Sequence, residues 1–351
     1  MQKSSTSAFT VGLDVSDKQS TYVMLDDAGT IIDEGKVATR RAALTKRFSG
    51  RSLRVALEAG CHSPWISRLL SDLGHEVMVA NPRQVALIAK NQRKTDRLDA
   101  LRLARLARFD PQLLSPINHR SQQSQEDLEL LRARQQLVRT RTALINHVRA
   151  TVKSLGERLP ACSAMTFHRK VVAILPATLR PALAPLLDVI GQLTDKIKVL
   201  DGQAVHLIAA RYQAAAALMD QINGVGPITA LAFVLTIEDP RRFNNSRNVG
   251  PYLGLTRRQR ESGDSLPQLH ITKAGDALVR RLLVQCAHYI LGPFGRDCDL
   301  RRWGLRRVEG TGKKRAIVAV ARKLAVLMHR LWVTGEVYQP LRQASASSAA
   351  T

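Results

Sequence analysis

The chain has 351 residues, 45% of them hydrophobic, enough apolar material for more than one ordinary core. Lysine and arginine total 53 against 29 acidic residues, a formal charge of +24. Such an excess argues against a small-molecule enzyme and suits a polyanionic partner, most simply nucleic acid.

In FTVGLDVS, Phe9, Val11, Leu13 and Val15 alternate with Thr10, Gly12 and Asp14, the period of a half-buried strand. TYVMLDD and TIIDEGKV predict two more strands, parted by a turn at Ala28-Gly29. LRVALEA (53–59) and HEVMVAN read as strands around a helix, PWISRLLSDLG (64–74), with Pro64 at its start and Gly74 at its end. A helix over 95–109 stops before Pro111. Three strands followed by alternating strand and helix predict a mixed sheet covered by helices.

From Ser121 to about Leu155 there is no proline or glycine, and Leu128, Leu131, Val138, Ile145 and Val152 keep a heptad spacing with Gln135, Thr142 and Arg149 in the same seam. After a loop near 156–182, a second seam runs through Leu186, Ile190, Leu193, Ile197, Leu200, Ala204 and Leu207. Two such helices make an antiparallel hairpin within the chain or a coiled coil between subunits. A third region begins near 219 with INGVGPITALAF, and helices follow near 274–291 and 313–334. The tail QASASSAAT is small and polar, a composition that predicts disorder.

Cys61, Cys162, Cys286 and Cys298 form no CxxC pair, which fits neither a zinc site nor a disulfide framework and predicts reduced thiols in a cytosol. The first residues, MQKSSTSAFTVGLDVS, meet Asp14 too early for a secretion signal. The apolar stretch 171–190 carries Arg180 and three prolines, so no membrane span is expected.

Four constellations can carry chemistry. Asp14 on the first strand, Glu58 at the end of LRVALEA, and Asp96 with Asp99 on one helical face form an acidic set. Carboxylates gathered from two strands and a helix repel unless a divalent cation relieves them. Mg²⁺ takes oxygen ligands and acts on phosphodiesters. Taken singly, a strand aspartate is more often a turn or surface residue, and a DxxD pair on a helix is usually solvated. In INGVGP, Gly224 and Gly226 precede a helix, as in the hairpin of helix-hairpin-helix DNA binders, where backbone N–H groups approach a phosphate. The same pattern also serves as a plain turn. In RRQRESGDS, Arg257, Arg258 and Arg260 precede Ser262-Gly263, which suits a serine attacking a phosphate held by cations, or a solvent-exposed basic loop. Ser246 is a second candidate nucleophile. Arg301, Arg302, Arg306, Arg307, Lys313, Lys314 and Arg315 form a basic C-terminal cluster suited to phosphates, and Lys273 is a further such candidate. The nine histidines show no metal-binding spacing.

The chain resembles the DEDD transposases of the bacterial insertion-sequence family numbered one hundred and ten, most closely its eleven-eleven subgroup. The motifs that carry the likeness are GLDVS (12–16), LEAGCHSPWISRLL (57–70), GHEVMVANPRQV (74–85), KTDRLDALRLARLARFDPQLLSP (94–116), INHVRATVKSLG (145–156), INGVGPITALAF (222–233), DPRRFNNSRNVGPYLGLTRRQRESGD (239–264) and ITKAGDALVRRLLVQCA (271–287). The resemblance implies an α/β plus α architecture. A ribonuclease-H-like domain of the Holliday-junction-resolvase (RuvC) type would span 1–115, a helical coiled-coil connector 116–218, and a mostly helical transposase domain 219–340, before a tail at 341–351. It implies Asp14, Glu58, Asp96 and Asp99 as ligands of Mg²⁺, and Ser262 as the nucleophile that joins covalently to DNA. Gly224, Gly226, Arg257, Arg258, Arg260, Lys273, Lys313, Lys314 and Arg315 are then the nucleic-acid-binding candidates. The implied partners are DNA at element ends and target, a bridge RNA that pairs with both, and further copies of the chain as a dimer of dimers. No membrane is involved, and the expected location is the bacterial cytoplasm, at the nucleoid. The rival readings are a metal-dependent junction nuclease and a non-catalytic nucleic-acid-binding protein.

Overall fold

A computed structural model describes residues 9–84, 95–260, 267 and 269–342. The chain divides into two compact units, 1–120 and 121–351.

In the first unit, β1 (Thr10–Asp14), β2 (Gln19–Leu25), β3 (Ile31–Ala38), β4 (Arg54–Glu58) and β5 (Glu76–Ala80) form one sheet in the order β3-β2-β1-β4-β5. β1 is antiparallel to β2 and parallel to β4, so the sheet is mixed, as the alternation of elements predicted. Successive residues of a strand face opposite sides. On one side Val11, Leu13, Val55 and Leu57 pack with Leu44 and Phe48 of α1 (Arg41–Phe48) and with Ile66 and Leu70 of α2 (Ser63–Asp72). On the other side Ala56 and Ala80 pack with Leu103 and Ala107 of α3 (Asp96–Phe109), and Val23 and Leu25 pack with Ala100 and Ala104. This second face is built from small residues, so the helix backbone comes down onto the sheet. α1 went unpredicted because only Leu44 and Phe48 of its eight residues are buried, too short an apolar repeat to register as a period.

The second unit is helical. α4 (Gln122–Ser154) and α6 (Arg180–Leu207) pack antiparallel within the chain. The Arg141 guanidinium donates to Thr194 Oγ1 at 3.2 Å, Arg134 pairs with Asp201, and Arg211 beyond α6 pairs with Asp127 at 2.9 Å. The seam differs in detail from the heptad reading. Arg141 and Thr194 are buried in it, whereas Thr142 is exposed, because a straight helix of 3.6 residues per turn drifts off a strict seven-residue repeat. The segment near 156–182 is not all loop. It contains α5 (Phe167–Val172), whose Phe167 and Val171 close a small core with Leu183, Leu187 and Ile190. α6 starts at Arg180, with one proline in its first turn and Pro185 further in.

A π-helical turn, Ile208–Tyr212, leads into α7 (Gln213–Asp220). Tyr212 donates to Asp127 Oδ2 at 2.6 Å, and its hydroxyl is pushed up to about 12 by burial and by this carboxylate. α8 (Pro227–Ile237) is buried from Thr229 to Ile237. Around it stand α9 (Val249–Tyr252), α10 (Ala277–Leu291), α11 (Asp299–Thr311) and α12 (Lys313–Thr334). α11 went unpredicted because only Leu300 and Gly304 are buried in its arginine-rich sequence. Among the described residues the cysteines are free and no helix is long and apolar enough to cross a membrane. The tail over 343–351 lies outside the described residues.

Candidate active site and nucleic-acid surface

Gly12 and Asp14 are two apart on β1 and therefore share the α3 face. Ala56, which packs on α3, places Glu58 on the same face of β4. The parallel register pairs Leu13 with Leu57, so Asp14 and Glu58 are lateral neighbours at the carboxyl ends of adjacent strands, about 4.8 Å apart in backbone. Asp14 is half-buried and Glu58 exposed.

α3 runs antiparallel to β1. The Arg54 guanidinium, from the residue opposite Thr10, donates to Ala107 O at 3.4 Å, while Gly12 lies against Ala100 and Ala104. One turn earlier, the helix brings Asp96 and Asp99 towards the Asp14 end of the strand. Thr95 starts the helix, its side chain accepting from Leu98 N at 3.3 Å. Arg97 grips Glu34 of β3 with Nε at 3.0 Å from both carboxylate oxygens. Asp96 is exposed and lines an open cavity of about 690 Å³ together with Lys18, Lys36, Arg40 and Thr21, the residue paired with Asp14. Asp99 is engaged by Arg102 Nη1 at 3.1 Å.

The fold therefore brings all four acidic residues to one edge and one face of the sheet, as two adjacent pairs. Their oxygens are the donor set a hard divalent cation takes. They do not converge on a point: among the described residues no three Asp, Glu, His or Cys side chains stand close enough to hold one ion.

A further device sits just past Glu58. Ser63 Oγ donates to Gly60 O at 2.8 Å, accepts from Gly60 N at 2.9 Å, and lies 2.8 Å from His119 Nε2. Burial, then Arg68 and Arg120, hold the His119 ring below the usual histidine range. This contact ties down the loop that follows the acidic strand end. Its sequence signal is Gly60-x-x-Ser63, just before the Pro64 that marks the helix start.

In the second unit the INGVGP turn is made as its glycines predict. Gly224 has φ +95°, and a Cβ there would come within 2.8 Å of Tyr289. Gly226 caps α8 and opens on free space. Arg257 and Ile271 form an isolated β-bridge, and Arg258 N donates to His270 O at 3.0 Å, so the two ends of the serine loop are held together. Ser262 itself lies outside the described residues. Arg257, Arg258, Arg260 and Lys273 are exposed, and Lys273 adopts φ +54°. Lys313, Lys314 and Arg315 occupy the exposed first turn of α12, where the helix dipole disfavours cations.

Some of the basic cluster is committed elsewhere. Arg301 donates to Gly292 O at 2.7 Å and to Ile290 O, closing α10. Arg302 pairs with Asp297 at 2.6 Å. Ser246 donates to His329 Nδ1 at 2.9 Å, while the other nitrogen of this buried ring is held 2.9 Å from Pro240 O. The hydroxyl thus serves to tie a turn to α12.

Residues 11–156 match a transposase domain of the DEDD IS110 type, and residues 216–294 match the transposase IS116/IS110/IS902 family. The transposase for insertion sequence element IS1328 of Yersinia enterocolitica is 30% identical over 258 residues, covering 70% of this chain and 75% of that protein. The chain belongs to the IS110 family of transposases. The transposase for IS1111A of Coxiella burnetii is 29% identical, covering 88% of this transposase and 87% of its own length. The pilin gene-inverting protein of Moraxella lacunata is 27% identical over 73% of this chain and 72% of its own. The first matched domain contains Asp14, Glu58, Asp96 and Asp99, and the second contains Ser262.

Proposed function

We propose that this insertion-sequence transposase cleaves and rejoins DNA with Ser262 as nucleophile and with Asp14, Glu58, Asp96 and Asp99 as the holders of Mg²⁺, on a ribonuclease-H-like unit spanning 1–115. The observation that carries the reading is the shared face: two acids at the ends of adjacent parallel strands, with the acidic first turn of a helix brought to the same edge. The family's DEDD name implies a divalent metal. When bound, such a metal screens the carboxylates from one another and stabilises charge on phosphate oxygens. Asp99 would exchange its Arg102 partner to take part.

Ser262 lies between Arg257, Arg258 and Arg260 on one side and Lys273 on the other. In the proposed step its oxygen forms a bond to a DNA phosphorus and the phosphorus–sugar oxygen bond breaks. The serine proton leaves, and the departing sugar oxygen takes one up. A hydroxyl of the exchanging strand then attacks the phosphoserine ester, and the serine recovers its proton. Bond energy is conserved, so no nucleotide triphosphate is consumed. The connector over 116–218 would assemble copies of the chain into a dimer of dimers, the domain over 219–340 would carry the serine, and the Gly224–Gly226 turn would approach a backbone phosphate as helix-hairpin-helix turns do. The family resemblance further suggests a bridge RNA that selects donor and target. The pilin gene-inverting relative, by its name, supports rearrangement of DNA by rejoining.

Ser262→Ala is expected to abolish plasmid recombination and the covalent protein–DNA adduct while leaving nucleic-acid binding intact. Continued recombination by that variant refutes the serine. DNA hydrolysis that survives Ser262→Ala but is stopped by Asp96→Asn would identify a metal-dependent nuclease instead. Sequencing RNA that co-purifies with the protein, and assaying recombination without it, tests the guide.

A further inference from the structure

The second unit carries a groove of about 810 Å³ whose walls and floor differ in character. Seven arginine and lysine side chains line it, and no carboxylate does among the described residues. Arg257 and Arg247 stand on one side, and Lys314, Arg315 and Arg322 come from α12. The floor is aliphatic, with Leu255, Ile271, Val318, Ala319 and Val326. Trp303 also lines it, its ring held by the Lys323 ammonium 4.3 Å from the centroid and by Arg307 at 5.6 Å. Burial and the nearby Arg306 lower the Lys323 pKa, as expected for a cation crowded by others.

A surface that only neutralised duplex phosphates would need no apolar floor, because a duplex presents charged backbone and stacked, inaccessible base faces. A closed apolar pocket would need no ring of cations. An unpaired nucleotide has both parts, a flat apolar base and an anionic phosphate. The volume also suits it, since drug-sized ligands occupy sites of roughly 300–1,000 Å³. The groove adjoins the β-bridge between Arg257 and Ile271 that gathers the ends of the Ser262 loop.

We infer that this groove binds an unpaired DNA strand, seating a base on the Leu255–Ile271–Val318–Ala319 floor and its phosphates on Arg257, Lys314 and Arg315. The choice of DNA over RNA rests on the reading of Ser262 as the group that attacks DNA; the unpaired character rests on the groove alone. Such a site would hold a strand released from its duplex at the Arg257–Ile271 bridge.

The test uses the full-length transposase and three labelled probes of one sequence: single-stranded DNA, single-stranded RNA and duplex DNA. Ala319→Leu fills the floor without changing charge. It is expected to lower single-stranded DNA affinity about tenfold while leaving duplex affinity within about twofold. Replacing Lys314 and Arg315 with alanine is expected to weaken both DNA probes and flatten their salt dependence. Equal effects of Ala319→Leu on both DNA probes, or none on either, overturn the proposal, as does a larger loss of affinity for the RNA strand than for the DNA strand in that variant. Should Ala319→Leu lose the wild-type melting profile, wild-type protein is crosslinked to iodouracil-substituted single-stranded DNA. Attachment at Arg247, Leu255, Arg257, Ile271 or within 303–326 supports the groove, and attachment only elsewhere refutes it. Ser262→Ala should leave all these affinities unchanged, so failure of the serine assignment is read separately, by recombination.

Discussion

Adding one methyl group at Gly12 should displace the acidic helix. A Cβ at this position would lie 1.9 Å from Ala100 O and 2.5 Å from Ala104 N, whereas ordinary contact begins at 3.4 Å. The helix must therefore withdraw by about 1.5 Å (3.4 − 1.9) in Gly12→Ala, because the opposing atoms are backbone and no rotamer change relieves them. Withdrawal opens the packing of Ala56 and Ala80 on Leu103 and Ala107. Overpacking of this kind costs about 1–3 kcal/mol, to be read from urea unfolding of the full chain. It also carries Asp96 and Asp99 away from Asp14 and Glu58. A misplacement of about 1 Å in a catalytic constellation can cost roughly 10²-fold in rate, to be read in plasmid recombination. Gly202→Ala is the control, since this position lies inside α6 and its added Cβ meets nothing within 4 Å. If Gly12→Ala unfolds and recombines like wild type, α3 does not position the acids.

Further outcomes are expected. Gly226→Ala should keep stability within about 0.5 kcal/mol yet weaken duplex binding, if its open side admits a phosphate; unchanged affinity in filter binding would remove the turn from the nucleic-acid surface. Asp14→Asn and Glu58→Gln should each abolish recombination while leaving the melting profile close to wild type, because both side chains sit at strand ends outside the apolar clusters; retained activity in either would exclude that residue from the site. Burial is the leading cause that holds His75, His119 and His329 below the usual histidine range. The stability these neutral rings contribute is present above their unfolded value of about 6.5 and is lost as pH falls through the lowered native values. Unfolding midpoints should therefore drop on acidification below about pH 6, with a smaller slope in His329→Gln; an identical slope would mean that His329 does not titrate with unfolding.

The sequence determined a good deal unaided. Alternation in FTVGLDVS set which β1 residues face which layer, and so put Asp14 on the face away from Val11 and Leu13, because a strand has period two whatever packs on it. Thr95 and Pro111 bounded α3, and the long run without proline or glycine marked α4. The charge excess pointed to a polyanion before any contact was known. The DxxD spacing of Asp96 and Asp99 was legible as one helical face, but not as anything more than a solvated pair.

Only the tertiary structure decided what that pair stands beside. The parallel register of Leu13 with Leu57 places Glu58 next to Asp14, and the bare surface of Gly12 and Ala56 lets α3 settle close enough to bring its first turn to the same edge. Neither fact is local: strand order joins residues 44 positions apart (58 − 14), and helix seating depends on the absence of side chains on a different element. The same limit hid the groove. Its cations and floor come from separate stretches of the chain, two of them inside motifs that carry the family likeness, and they become one surface only when α11 and α12 fold against the Arg257–Ile271 bridge.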